Sequence, residues 1–129
     1  MISLLDLVLI DLYECNHTSL LDSNKIRAGM LQAADLMGAE VVGDSFHTFK
    51  PWGVSGTVTI AESHIAVHTW PEYNFAAVTF ETCGNRMNHK KAYNHLISFF
   101  GSKRYQISSH KRGFMHSADA GLERSQVVG

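Results

Sequence analysis

The sequence contains only two cysteines and two prolines among its 129 residues, and it has no long apolar run. Cys15 and Cys83 lie far apart without the spacing of a metal site or a redox motif, so we expect two thiols rather than a disulfide. The longest apolar stretch, residues 4–12, is interrupted by two aspartates and is too short to cross a bilayer. It also lacks the basic flank and cleavage site of a secretion signal. We therefore expect a cytoplasmic protein.

An excess of charge of either sign is absent too. Lys and Arg number 11 against 12 Asp and Glu, which gives a net charge of -1. Such a balance gives no reason to expect nucleic acid or an acidic membrane as a partner. The hydrophobic fraction of 45% and the chain length fit one compact domain spanning residues 1–129.

Hydrophobic periodicity predicts an α+β fold. Alternating or β-branched segments predict six strands, at residues 7–13, 40–49, 54–60, 65–69, 75–82 and 104–108. Two helices are predicted between capping residues and glycine stops, from Asp22 or Ser23 to Gly38 and from Asn88 to Gly101. This order predicts a two-layer sandwich in which both helices pack on one face of a mainly antiparallel sheet. From about residue 111 onward we expect a loosely ordered tail.

Residues 53–84 combine three of these strands with an unusual density of Ser, His, Glu and Cys, which indicates a sheet that carries a site. Residues 61–64 are expected to connect the first two strands. Pro71 is expected to end the second strand, because proline has no N–H for the ladder.

Several motifs in this stretch resemble those of one family. Ala61-Glu62-Ser63-His64, the run His-Thr-Trp-Pro-Glu-Tyr at 68–73 and Thr-Cys-Gly at 82–84 are similar to the prokaryotic S-adenosylmethionine decarboxylase proenzymes. Ser-Phe-His at 45–47 with Phe49, and Gly-Val-Ser-Gly at 53–56, are similar as well. The resemblance extends from about residue 11 to about residue 113.

The resemblance implies a self-cleaving enzyme with a pyruvoyl cofactor derived from Ser63. The Ser63 hydroxyl would attack the carbonyl of Glu62 in an N-to-O acyl shift, and elimination would then leave fragments 1–62 and 63–129, the second beginning with pyruvoyl. The first step acts on a stable amide, so we expect strain and oxyanion stabilisation around Glu62. Pyruvoyl provides the electron sink that decarboxylation needs and would bind the substrate amine as a Schiff base.

The resemblance also implies roles for five further residues. His68 matches the base of the elimination, Ser55 a hydroxyl that steadies the intermediate, and Cys83 the acid that reprotonates the substrate. Phe49 and Glu72 match positions that stack on adenine and bind ribose. The implied substrate is S-adenosylmethionine, and the implied product is the aminopropyl donor for spermidine.

Strand geometry predicts that this site is shared between subunits. Ser63 and His68 on one strand would lie roughly 16 Å apart and on opposite faces. A hairpin turning near Glu62 would instead place Ser55 across from His68 or Thr69. We therefore expect a homodimer in which Phe49, Ser55, His68 and Glu72 of one subunit complete a site around Glu62, Ser63 and Cys83 of the other.

Each residue alone has a simpler interpretation. Cys83 could be a buried thiol, the serines strand or turn residues, Glu72 a solvated residue and Phe49 part of the core. Trp70 is assigned to the core. His64 and His68 would lie about 13 Å apart on a strand, too far to chelate one ion, so no metal is expected. Tyr13 and Glu14 could approach the substrate, or could equally be a packing tyrosine and a surface glutamate.

Two alternatives to S-adenosylmethionine decarboxylation remain open. The same chemistry could serve a basic amino acid such as arginine or ornithine, because this chain has Leu5-Asp6-Leu7 where the family usually has Gly-Arg-His. A second departure, at residues 85–88, is expected to alter only a helix cap. The chain could also be a non-catalytic regulatory homologue, although Glu62, Ser63, His68 and Cys83 together favour an enzyme.

Overall fold

The computed structural model describes residues 2–61, 63–83 and 87–116. They form a six-stranded antiparallel sheet in the order β2-β3-β4-β5-β1-β6, with two helices packed on one face. The elements are β1 (Ile2–Tyr13), α1 (Ser23–Met37), β2 (Val41–Thr48), β3 (Val54–Ile60), β4 (Ser63–Trp70), β5 (Phe75–Cys83), α2 (His89–Phe100) and β6 (Arg104–Met115). The predicted two-layer α+β architecture is confirmed.

The two helices begin and end where their capping residues predict. The side chain of Asp22 accepts hydrogen bonds from the first-turn N–H groups of α1, and that of Asn88 does the same for α2. Gly38 and Gly101 follow the last turns with φ of 86° and 62°, a conformation that glycine adopts without strain. Within the described parts of the chain, no helix is both long enough and apolar enough to span a bilayer.

The core lies between the helices and one face of the sheet. Side chains alternate between buried and more exposed positions along β3, β5 and the part of β4 from Ile65 onward. The buried set includes Val58, Ile65, Val67, Val78 and Phe80, each at most 1% exposed. They pack against the apolar faces of both helices. The residues that recur every two positions in the strands and about every 3.6 positions in the helices therefore form one core layer.

None of the helices in the described residues covers the opposite surface of the sheet, which we call the open face. It carries the alternate residues of β4, among them His68 and Trp70. The assignment of Trp70 to the core was wrong, because its side chain is 40% exposed. Ile65, Val67 and Thr69 take the buried phase of this strand, so the pleat directs Trp70 outward.

The β3–β4 hairpin is tighter than expected. The register pairs Ile60 with Ser63, so β4 begins at Ser63, and only two residues of the sequence separate it from the end of β3. Ser63 and His64 therefore belong to the strand and not to the connection. Hydrophobic alternation did not predict this beginning of β4, because both side chains are polar. The main-chain hydrogen bonds of the hairpin form regardless of side-chain polarity.

Strands β1 and β6, which pair with each other at one side of the sheet, are also longer than predicted. β1 begins at Ile2 instead of residue 7, and β6 continues to Met115 instead of ending at residue 108. The two strands pair from Ile2 with Met115 to Tyr13 with Arg104. Residues 111–115 are thus part of the sheet, and the remainder of the expected loose tail, 117–129, lies outside the described residues. An edge strand needs no hydrophobic alternation, because main-chain bonds to β1 hold it.

His89 provides a prediction about pH and stability. Its Nε2 lies 2.7 Å from Oγ1 of the fully buried Thr82. Burial lowers the pKa of His89 below its usual 6.5; Asp6 opposes this shift, and Lys111 adds to it. The unfolded chain therefore binds the proton more tightly than the folded chain. The contribution of neutral His89 to the free energy of unfolding is fully present above pH 6.5 and is lost as the pH falls below that value.

Replacing His89 with Gln keeps a hydrogen-bonding side chain beside Thr82 but removes the titration. Urea unfolding of both chains between about pH 7.5 and about pH 5.5 should show a smaller loss of stability for His89→Gln. Equal losses in the two chains would contradict a role for His89.

Candidate active site

Ser55 and His68 form a bonded pair on the open face. The register of the β3–β4 hairpin places them directly opposite each other, as predicted. The Oγ of Ser55 lies 2.7 Å from Nδ1 of His68. In the tautomer whose Nδ1–H donates a hydrogen bond to Ser55, Nε2 is the basic nitrogen. The pair thus presents an oriented imidazole base.

This pair lies in the wall of a cavity of about 310 Å³. The lining residues are Phe49, Trp52, Gly53, Ser55, His68, Thr69, Trp70 and Glu72. Three of its aromatic side chains are strongly exposed, Phe49 by 47%, Trp52 by 46% and Trp70 by 40%. Exposed aromatic rings around a concavity with one carboxylate are suited to a flat or cationic ligand. We call this group the aromatic cavity.

The turn before β3 fixes the rim of the aromatic cavity. The N–H of Phe49 donates to the carbonyl of Gly53 over 2.7 Å, and the Phe49 ring contacts His47 edge-on at 4.6 Å between centroids. Gly53 has a φ of 112°, and a Cβ there would lie 3.3 Å from the carbonyl oxygen of Thr69. Glycine is therefore needed for the chain to pass this close to β4.

Thr69 anchors the strand beside His68. Its buried hydroxyl accepts from the N–H of Val54 and donates to the carbonyl of Leu20, each over 2.9 Å. Both bonds are shielded from water, so they hold the end of β4 firmly. His68 and Trp70 are directed to the open face on either side of this anchor.

Ser63 and Cys83 lie at the other end of β4 and β5. His64 pairs with Glu81, so continuing this register places Thr82 opposite Ser63 and Cys83 one residue further. On its other side, Cys83 pairs with Leu5 of β1. The segment Leu5-Asp6-Leu7, where the resemblance implies Gly-Arg-His, therefore lies within β1 beside Cys83.

A chain of polar contacts leads away from Ser63 along the sheet. Its Oγ lies 3.5 Å from Nδ1 of His64, whose Nε2 lies 3.7 Å from Oε2 of Glu81. The other carboxylate oxygen of Glu81 accepts a hydrogen bond of 2.6 Å from Nη1 of Arg112. These four residues form what we call the Ser63 relay.

The predicted site residues therefore form two groups in one chain. Phe49, Ser55, His68 and Glu72 meet in the aromatic cavity, whereas Ser63 and Cys83 lie at the opposite end of the strands. Ser63 and His68 are separated by five steps of β4, or roughly 16 Å. Glu62, together with the strain expected around it, lies outside the described residues.

The two cysteines differ in their surroundings. Both are thiols. Burial raises the pKa of Cys15 to about 11, and its Sγ donates to the carbonyl of Leu12. A thiol with such a pKa carries almost no thiolate at neutral pH, so Cys15 is suited to packing. Cys83 is partly exposed and lies at the Ser63 end of the sheet.

Sequence reasoning missed several residues of the site. Trp52 and Trp70 line the aromatic cavity, and Glu81 and Arg112 extend the Ser63 relay. The alternation of β4 could have shown that Trp70 shares a face with His68. No local pattern links Arg112 to Glu81, because β1 lies between their strands.

The surroundings of Ser63 suit the pyruvoyl group that the resemblance implies. That group would be made from Ser63, so its formation needs a hydroxyl that can be activated and a turn that presents the preceding peptide bond. Ser63 pairs with Ile60 at the closed end of the β3–β4 hairpin, and its hydroxyl faces an imidazole nitrogen. The thiol of Cys83 at the same end could supply a proton.

Comparison with known proteins gives consistent matches. The family model of S-adenosylmethionine decarboxylase matches residues 6–113. An S-adenosylmethionine decarboxylase proenzyme of Fervidobacterium nodosum is 43% identical over 106 residues, or 82% of this chain and 77% of the relative. One of Thermotoga maritima is 44% identical over 103 residues, or 80% and 79% of the two chains.

Solved structures match as well. The crystal structure of the adenosylmethionine decarboxylase from Aquifex aeolicus superposes with a TM-score of 0.85 at 29% identity, covering 91% of this chain and 97% of that one. The crystal structure of a Trypanosoma brucei AdoMetDC monomer matches in fold alone, with a TM-score of 0.60 at 15% identity. That match covers 79% of this chain but 44% of the other.

Proposed function

The chain belongs to the S-adenosylmethionine decarboxylase family, and on that premise we propose that it decarboxylates S-adenosylmethionine in the cytoplasm. The product would be carbon dioxide and the aminopropyl donor for spermidine. The observation that carries this proposal is the aromatic cavity, in which the oriented imidazole of His68 lies beside exposed aromatic rings and Glu72.

The chain would first cleave itself between Glu62 and Ser63. His68 would remove the α-proton of Ser63 in the elimination, with Ser55 holding its ring through Nδ1. The resulting pyruvoyl group supplies a ketone that accepts the electrons of the breaking carbon–carboxylate bond. Cys83 would then return a proton to the α-carbon of the substrate.

The aromatic cavity would hold the nucleoside part of the substrate. Phe49 is exposed and stands at the rim, where it can stack on adenine, and Glu72 can accept hydrogen bonds from ribose hydroxyls. The rings of Trp52 and Trp70 extend the same surface. A sulfonium beside an aromatic face gains about 0.5 to 2 kcal/mol of cation–π attraction.

A homodimer would bring the two groups of residues together. Within one subunit His68 is too far from Ser63 to act on it, so the base must come from a second copy. The open face, which neither α1 nor α2 covers, carries Leu5, Leu7 and Leu9 along with His68 and Trp70.

A basic amino acid remains a second candidate substrate. The segment Leu5-Asp6-Leu7 replaces the usual Gly-Arg-His of the family, and Leu5 pairs directly with Cys83. A sequence change beside the proposed proton donor is placed where it would alter which substrate the site accepts. The retained Phe49 and Glu72 favour S-adenosylmethionine, and a purely regulatory role would leave the paired Ser55 and His68 without a use.

Denaturing electrophoresis and an assay of carbon dioxide release test this proposal. The purified chain should appear as two fragments, and Ser63→Ala should stay intact because it has no hydroxyl to attack. Carbon dioxide should be released from S-adenosylmethionine and not from arginine or ornithine. Release from one of the amino acids alone would favour the second candidate, and an intact, inactive wild-type chain would favour a regulatory role.

A further inference from the structure

The Ser63 relay contains a base that the processing chemistry described so far does not use. The hydroxyl of Ser63 faces Nδ1 of His64 at 3.5 Å, and Nε2 of His64 faces a carboxylate oxygen of Glu81 at 3.7 Å. A hydroxyl, an imidazole and a carboxylate in this order form the arrangement that activates serine nucleophiles. The relay therefore has the parts needed to deprotonate Ser63.

Glu81 is held in place from its far side. Its side chain is only 16% exposed, and Arg112 donates a charge-assisted hydrogen bond of 2.6 Å to Oε1. This leaves Oε2 directed toward His64, which lies opposite in the β4–β5 register. A carboxylate near Nε2 favours the tautomer with the proton on that nitrogen, so Nδ1 keeps its lone pair toward Ser63.

His68 cannot supply this base from its own subunit. It lies roughly 16 Å along β4, and its Nδ1 is bonded to Ser55. Self-cleavage also moves two different protons, one from the Ser63 hydroxyl and a later one from its α-carbon. Two bases at different positions suit these two steps better than one.

We propose that His64 is the base of the acyl shift, with Glu81 and Arg112 as positioning residues; this rests on the proposed self-cleavage. Nδ1 takes the hydroxyl proton while Oγ of Ser63 bonds to the carbonyl carbon of the preceding peptide bond. When the carbon–nitrogen bond breaks, the same proton passes to the leaving nitrogen of Ser63. The peptide becomes an ester and an amine, with no atom gained or lost.

Hydroxylamine separates this step from the elimination, because it cleaves esters and leaves amides intact. Newly synthesised full-length chains are followed by denaturing electrophoresis with and without hydroxylamine. His64→Ala and the bulkier His64→Gln should process roughly a hundredfold more slowly, and their uncut chains should resist hydroxylamine. Uncut His68→Ala chains should be split by it. His116→Ala, an exposed residue after β6, is the control and should process normally.

Two further measurements distinguish chemistry from packing. Imidazole in the buffer should accelerate His64→Ala, since the ring site is 41% exposed, but not Ser63→Ala. Arg112→Met should slow processing roughly tenfold and Arg112→Lys should recover part of that loss, because lysine can still donate to Glu81.

The outcomes for the two proposals differ. A wild-type chain that never splits overturns self-cleavage itself. A wild-type chain that splits while both His64 variants split at the same rate overturns the role of His64 and leaves self-cleavage standing. The same conclusion follows if the uncut His64 variants are hydroxylamine-sensitive, because the acyl shift would then have occurred without this base.

Discussion

His68→Ala should process roughly a hundred to ten thousand times more slowly than the wild-type chain. The imidazole of His68 is oriented by Ser55 at 2.7 Å and is the proposed base for the α-proton of Ser63. Without it, elimination has no positioned acceptor for that proton. The chain should therefore accumulate as one full-length species, measured by electrophoresis over hours after synthesis.

A matched variant separates the base from the hydrogen bond. His68→Asn places an amide near the position of Nδ1, so it can still contact Ser55, but it has no basic nitrogen. Both substitutions should block processing equally if proton removal is the essential role. Normal cutting of His68→Asn together with failure of His68→Ala would mean that His68 acts by packing and that another group is the base.

The helices were predictable from sequence because their ends are chemically marked. Asp22 and Asn88 supply caps, and Gly38 and Gly101 accept the left-handed conformation after the last turn. Strand boundaries were predicted less accurately where polar residues continue the hydrogen-bond ladder between strands. Main-chain hydrogen bonds pair the N-terminal half of β1 with the C-terminal half of β6. These bonds do not require a periodic side-chain pattern, so the sequence does not reveal them.

Sequence reasoning could also bring Ser55 and His68 together, because a short hairpin loop fixes the register of two strands. It could not predict the aromatic cavity, which depends on how the turn around Gly53 passes over β4. Nor could it find the Ser63 relay, since Arg112 reaches Glu81 across an intervening strand. Contacts that skip a strand depend on side-chain length and direction, which a linear pattern does not contain.

A mixed dimer of His68→Ala and Ser63→Ala chains should cut the His68→Ala chain, although neither variant cuts itself alone. In this dimer one site combines the intact Ser63 of the first chain with the intact His68 of the second. The other site lacks both groups and stays inactive. The expected change is from no cleavage to cleavage of one chain only.

Co-expression with two different affinity tags, followed by purification on both, isolates the mixed species, and a difference in tag size identifies the chain that is cut. Each variant expressed alone is the control. The reason for complementation is geometric: Ser63 and His68 lie roughly 16 Å apart on one rigid strand, so no side-chain movement can join them within a subunit. If the mixed dimer forms but neither chain is cut, the base and the serine are not shared across the interface in this way.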